Sequence, residues 1–582
     1  MKKLYLMLSM LFAFGTAANA VPAKKLQKVI TLANGAKVSV ELRGDEYLSW
    51  WEGADGTAYR ATADDAVFEA FDLEAQKPAA AARRAKTEQG RAARLARVNN
   101  SLKGVDDKMR GLGGEHITYK GVKKGLVVLV DFKNKKFADG HDLEYYKQII
   151  NGKDFSDTEE GYVGSVRDYF LAQSNGQFEL DFDVVGPVTM SQNYGYYGRD
   201  GAYQKDENVY KMIQEACDGI QDQVNLADYD WDGDGEADQV FFLYAGLGQA
   251  SGGSASTIWP HESQLRYWPC GVLSYSTGKV NTYACANELQ PTAQNSSNYI
   301  SAGIGTICHE FSHCLGFADM YDTAGQNGYG MTVFDVMDQG SYNGNGFVPC
   351  NYTAFERIYA GWVEPIELES PATVKDMKSV SDYGRPFIMY NFKNTNEYFL
   401  MENRQNTGWD KELYGCNGLL IVHVNYVPSR WTNNSVNSSK EKIQCCTVVN
   451  ADGSREMSDY YSLQGDLYPY VVKGVTMNNA FTDESEPAAK LYNKNSDGTY
   501  YLGIPITDIK RSKGSISFNV CGGDNNILDN TFKEIVDGIN GITVANKTAD
   551  NRVYSIDGRY LGTDASKLGK GIYVVGGKKI VK

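Results

Sequence analysis

Residues 300–322 read ISAGIGTICHEFSHCLGFADMYD, and the fold around the chain's chemistry turns on this stretch. At 100° per residue, a helix here sets Ile304, Ile307, Cys308, Phe311 and Leu315 on one face. His309 and His313 fall on the opposite face, one turn apart, with Glu310 beside them. Two imidazoles about 6 Å apart along one helix face suit two nitrogens on a single Zn2+. Gly316 ends the helix where a reversal is allowed, and the chain can then return Asp319 toward the metal. The sequence holds only six histidines, at 116, 141, 261, 309, 313 and 423. The four outside the pair lie in other segments, so a carboxylate is the natural third ligand: Asp319 first, with Asp322 and Glu356 as alternatives. Two bland readings stand beside this one. The first is an ordinary helix with two satisfied histidines. The second is a thiolate cluster in CHEFSHC, which places Cys308 in the apolar stripe and Cys314 well round the helix.

The ligand set dictates a reaction class. Three protein ligands leave a fourth position for water, whose pKa zinc lowers toward ~7. Glu310 on the same face can take the proton of that water and pass it to a departing amine, while the metal polarises the scissile carbonyl. No Ser/His/Asp or Cys/His arrangement competes, because the remaining histidines lack nearby partners; His261 and His423 read as structural. The expected chemistry is metal-assisted amide hydrolysis, with His309, His313 and Asp319 on zinc and Glu310 catalytic.

Composition sets the surroundings. At 582 residues and 42% hydrophobic, the chain is too long for one core and too apolar for disorder. Its formal charge of −14 argues against gripping nucleic acid. MKKLYLMLSMLFAFGTAANA (1–20) has the charged, apolar and small-residue regions of a secretory signal peptide, and no later run is long enough to span a bilayer. Export permits disulfides among the ten cysteines, but these are too sparse for a disulfide framework.

Five segments follow along the chain. After the signal peptide (1–20), residues 21–113 hold a small β module, with ITLANGAKVSVEL as a hairpin around Asn34-Gly35. An Ala/Arg-rich linker over 77–110 closes that segment, with ten Lys or Arg against three Asp or Glu. It is either a solvated helix face or a processing site. Residues 114–365 are globular, with GLVVLVDF (125–132) and QVFFLYAG (239–246) as buried strands and helical patterns near 160–174 and 205–221. Residues 366–523 are short alternating strands that suggest a β-sandwich, and 524–582 form a Gly-rich tail with a hairpin at VYSIDGRYLG. In DYDWDGDGEAD, Asp230, Asp232, Asp234 and Asp238 resemble the first half of an EF-hand loop. Phe241 stands where the final Glu belongs, leaving a structural Ca2+ site or a plain acidic turn.

HEFSHCLGFAD (309–319) matches HExxHxxGxxD, a zinc-binding signature of metzincin peptidases, and is similar to the M6 (immune inhibitor A-like) family. RDYFLAQSNGQFELDFDVVGPV (167–188), DYDWDGDGEADQVFFLYAG (228–246), IWPH (258–261), NGLLIVHVNY (417–426) and GDLYP (465–469) also resemble it, over roughly 115–520. The resemblance implies a metzincin-like α/β (α+β) catalytic domain with an N-terminal propeptide, a following β-sandwich and a small β tail. It further implies a secreted zinc metalloendopeptidase, made as a zymogen, that cuts extracellular proteins. A Met beneath the metal would be Met337 in FDVMDQGSYNG (334–344), whose bland reading is core packing. Where some metzincins carry a metal-facing Tyr this chain has Gln339, so no Tyr role transfers, and Tyr342 is only a nearby candidate. Residues 21–113 contain no Cys; latency would then rest on a carboxylate, a backbone group or steric cover of the cleft. The ending from Arg552 resembles sorting tails read by type IX secretion systems of Gram-negative bacteria. That implies a secretion-machinery partner and a secreted or surface-attached enzyme; the bland reading is an accessory β-module. The rival from another class is a non-catalytic surface adhesin with a structural metal site, against which an intact Glu310 argues.

Overall fold

Leu126–Val130 and Val240–Ala245 are buried on both faces, as strands inside a parallel sheet must be. In the computed structural model they are the middle of one. The model describes residues 18–19, 21–85 and 119–532 apart from 202–204, 293–295, 325–327, 414, 439–442 and 456–459. It also describes 553–555, 560–562, 572–575 and 578–581. The expected signal peptide before residue 18 and the basic linker beyond residue 85 lie outside these residues.

Strands Phe178–Thr189, Gly121–Asp131, Val240–Leu247 and Thr282–Pro291 pair in that order, all parallel. The short strand His261–Gln264 closes one side by pairing antiparallel with Thr282–Pro291. A core of Leu126, Val128, Val130, Phe242, Tyr244 and Tyr283 packs on one face against Val209–Ile220, whose Met212, Ile213, Ala216 and Ile220 are buried. Val166–Gln173 starts at a capping box in which Ser165 and Asp168 exchange side-chain-to-backbone hydrogen bonds.

Two further sheets follow. One has the order Ile366–Glu367, Phe387–Tyr390, Glu397–Arg404, Gly418–Asn425, Cys446–Val448. The other runs Ile506–Ser512, Ser515–Val520, Ala372–Met377, Ile527–Leu528. Both feed one apolar cluster that includes Met377, Phe387, Phe399, Ile421, Ile516 and Phe518. Ile527–Leu528 pairs with Thr373 and Val374, so the compact unit runs to Thr531. This corrects the expected border at 523: a two-residue edge strand is too short to show as a period in the sequence. Upstream, Gln27–Leu32 to Val67–Ala70 form a closed five-stranded barrel. The tail is a separate unit, a four-stranded sheet in which Val553–Ser555 pairs with Tyr560–Gly562 and Ile572–Val575. None of the ten cysteines, all among the described residues, forms a disulfide. No helix among the described residues is long and apolar enough to cross a membrane.

Candidate metal centre

The helix Gly305–Cys314 carries both histidines and Glu310. It ends at Leu315, and Gly316, at φ +93°, turns the chain back at little steric cost. The imidazoles are held by their far nitrogens: His309 Nδ1 lies 2.7 Å from the Val336 carbonyl and His313 Nδ1 2.9 Å from the Phe317 carbonyl. A carbonyl only accepts, so each Nδ1 carries the proton and each Nε2 is left with a free lone pair. Both Nε2 atoms then meet Asp319 Oδ1, at 3.2 and 3.3 Å. These three side chains form a donor set whose ligand atoms lie within 4.8 Å of one another, all buried. His309 Nε2, Asp319 Oδ1 and Glu310 Oε2 are buried without a hydrogen-bond partner. Such orphaned atoms are costly, and a cation at their centre is what this nitrogen and oxygen set fits.

Asp319 is held at two further points. Its N–H donates to Asn434 Oδ1 at 2.6 Å, and Asn434 Nδ2 donates to its Oδ2. Burial opposes ionisation of Asp319, yet the neighbouring His313 and His309 outweigh it and hold the carboxyl well below the usual range. Met337, fully buried, accepts from Met320 N–H at 2.9 Å, while the carbonyl before it holds His309. One turn therefore steadies both the helix and the returning strand. Gly340 allows that turn: a Cβ there would stand 2.3 Å from Cys350 Sγ and 2.4 Å from the Asp335 carbonyl.

The runner-up ligands face elsewhere. Asp322 accepts from Ala324 and Gly328 in its own loop and from the distant Ser438, and Glu356 bonds Thr353. Cys308 is buried and Cys314 reaches the Asp238 carbonyl at 3.5 Å. His261 lies between the Trp259 carbonyl and Tyr283 Oη, burial lowering it to about 4. His423 bonds Glu397 and stacks between Phe399 and Tyr492.

Four features were not legible in the motif. Asn434 stands 115 residues beyond its partner with no spacing to flag it. The site face of the helix is fully buried, and residues 21–24 run across it. Ala18 and Asn19 pair antiparallel with Ser263 and Glu262, and the Val21 N–H donates to Glu310 Oε1 at 2.7 Å. The carbonyl of Val21 accepts from Trp259 Nε1 at 3.2 Å, and that of Pro22 from the Tyr342 hydroxyl at 2.8 Å. The only hint in the sequence was the cleavage junction itself, after Ala20. Burial pushes the Glu310 carboxyl well above its usual range, against the lowering effect of the Val21 N–H. Finally, Asp45 and Glu46 of the barrel are buried; Asp45 pairs with Arg84, while both Glu46 oxygens lack a partner. Burial and the adjoining Asp45 push Glu46 well up, and Asp319 and Glu310 add to this.

The acidic turn is a second donor set of Asp230, Asp232 and Asp238. Asp234, the fourth residue of the expectation, lies outside this set of close donor atoms; its Oδ1 accepts from the Glu236 N–H at 2.8 Å.

Residues 120–363 match the family model described as immune inhibitor A peptidase M6, catalytic domain. The pre-pro-metalloprotease PrtV of Vibrio cholerae serotype O1 is 26% identical over 318 residues, covering 46% of this chain and 34% of PrtV. Immune inhibitor A of Bacillus thuringiensis subsp. alesti is 25% identical over 295 residues, covering 42% of this chain and 41% of that protein. The chain thus spans well under half the length of these curated relatives.

Proposed function

We propose that this chain is a secreted zinc metalloendopeptidase of the metzincin type, made in latent form. The carrying observation is the convergence of His309 Nε2, His313 Nε2 and Asp319 Oδ1, all buried, beside an orphaned Glu310 Oε2. These three residues would hold the zinc, which supplies Lewis acidity toward a peptide carbonyl and toward water. Glu310 does the proton work: one oxygen takes a proton from the attacking water, and the carboxylic acid returns it to the nitrogen of the departing amine. The Val21 nitrogen, 2.7 Å from Oε1, marks where such an amine nitrogen sits. The match to a peptidase catalytic domain over 120–363 supports the same reading.

Latency follows from cover. Residues 21–24 occupy the cleft, and Val21 is fully buried there, so no substrate reaches Glu310 until the segment leaves. This is a backbone group plus steric cover. The relative named as a pre-pro-metalloprotease supports a maturing precursor. Asp230, Asp232 and Asp238 offer the hard oxygens a Ca2+ ion takes, and the C-terminal unit serves as the sorting tail. The test is Glu310→Gln: zinc content should stay stoichiometric while protein cleavage falls at least ~100-fold. Equal cleavage by the variant would sink the assigned base.

A further inference from the structure

The segment across the cleft is bound as a peptide ligand would be, and one of its contacts reads a side chain. It pairs antiparallel with the edge strand His261–Gln264, the mode by which clefts take extended peptides. Successive carbonyls of Val21, Pro22 and Ala23 accept from the side chains of Trp259, Tyr342 and Gln339, at 3.2, 2.8 and 3.4 Å. Those are main-chain grips, open to any sequence. Lys24 is different. Its Nζ donates to Gln290 Oε1 at 2.5 Å and lies 5.8 Å from the centre of the Tyr342 ring, within cation–π reach. Gln290 is 2% exposed. Its Nε2 donates to the carbonyls of Ser301, at 3.0 Å, and Asn345. Both amide protons are thereby spent on backbone, and the oxygen is fixed as a lone buried acceptor aimed into the cleft.

We propose that Gln290 is a specificity-determining residue that selects lysine as the fourth residue on the leaving-group side of a bound peptide. The count starts at Val21, whose nitrogen stands where the departing amine belongs. A side chain of equal length without a donor leaves the Gln290 oxygen buried and unpaired, and such a loss discriminates more strongly than a change in apolar bulk. The positive end also faces the Tyr342 ring, which an uncharged chain does not exploit. This inference rests on the metallopeptidase reading and adds its substrate class: peptides basic at that position.

The test uses two fluorogenic peptides, identical except for lysine or norleucine at the fourth position after the scissile bond. They are offered to the zinc-loaded protein, and to its Gln290→Leu and Gln290→Glu variants, each first freed of the covering segment by limited trypsin cleavage of the basic linker and chromatography, with casein as a general substrate. The unaltered chain should favour lysine by about tenfold in kcat/KM. Gln290→Leu should lose the preference and Gln290→Glu, which keeps an acceptor, should retain it. Hydrolysis without preference, the same preference in all three proteins, or casein cleaved while both peptides are refused each overturns the subsite alone. If casein too is untouched, the metallopeptidase reading falls and the subsite with it. Should the Gln290 variants fail to fold, Lys24→Met tests the same contact from the other side. Amide exchange at Val21 and Ala23 should then quicken about tenfold relative to the unaltered chain; unchanged exchange overturns the proposal.

Discussion

His309, His313 and Asp319 form one triad of close donor atoms, and Asp230, Asp232 and Asp238 form another; the chain has prepared the two in opposite ways. In the first, every atom pointing away from the centre is tied down: Nδ1 atoms to carbonyls, Asp319 Oδ2 to Asn434. At the centre, His309 Nε2 and Asp319 Oδ1 are left without a hydrogen bond. In the second, the carboxylates already serve the turn. Asp230 accepts from the N–H groups of Gly233 and Gly235, Asp232 from that of Asp234, and Asp238 from that of Trp231. On the proposed reading the first triad is completed by a cation, while the second is a turn already bonded to its own backbone. Proximity of acids is therefore a weaker sign of a metal than the exhaustion of their other partners.

Several experiments can break or sharpen that contrast. The largest effect belongs to Asp319→Ala, which should lose bound zinc and with it all hydrolysis, read by metal analysis of the purified protein. Stoichiometric zinc in that variant moves the third ligand elsewhere. Asn434→Ala removes only the clamp, and outer partners of this kind are worth about 10–100-fold in metal affinity. A competition titration showing unchanged affinity would deny Asn434 any part in preparing the site.

The turn behind the metal brings in pH. Burial lifts the Asp338 carboxyl from 3.8 to about 7, although it accepts N–H bonds from Thr332, Gln339 and Met331. Between those values the folded chain keeps a proton that the unfolded chain gives up. The contribution of this group to stability therefore falls as pH rises from about 4 to about 7, by on the order of 4 kcal/mol at most. Asp338→Asn should flatten that part of the profile in urea melts; an unaltered slope refutes the assignment. The smallest effect is expected at the acidic turn. Asp230→Asn, or Ca2+ removal with a calcium-selective chelator, should speed proteolytic nicking within 228–238 severalfold and leave zinc content alone. Zinc lost together with calcium would erase the contrast.

What the sequence disclosed has a physical boundary. The His309/His313 pair was legible because helical periodicity is local, and Gly316 because a reversal leaves a glycine. The central strands showed as apolar runs because a parallel sheet is covered on both faces. Asp319 came from its offset alone; the two candidates set beside it, Asp322 and Glu356, are turned to other partners. Barrel closure was hidden, since it depends on Thr31 and Leu32 pairing with Val67 and Phe68, a contact that no alternation of residues announces. Asn434, Gln290 and the burial of Val21 were hidden for the same reason: each acts through an encounter between distant segments. In the acidic turn the spacing named four aspartates, but the backbone decided which three converge.

The Asn434 clamp has a consequence for where the catalytic unit ends. The family match stops at residue 363, yet the side chain that orients Asp319 comes from well past it. A protein shortened to the matched region would keep all three ligands and lose the hand that steadies one of them. If the triad holds zinc as proposed, metal retention is a joint property of two regions, and the minimal zinc-binding unit is longer than the matched domain.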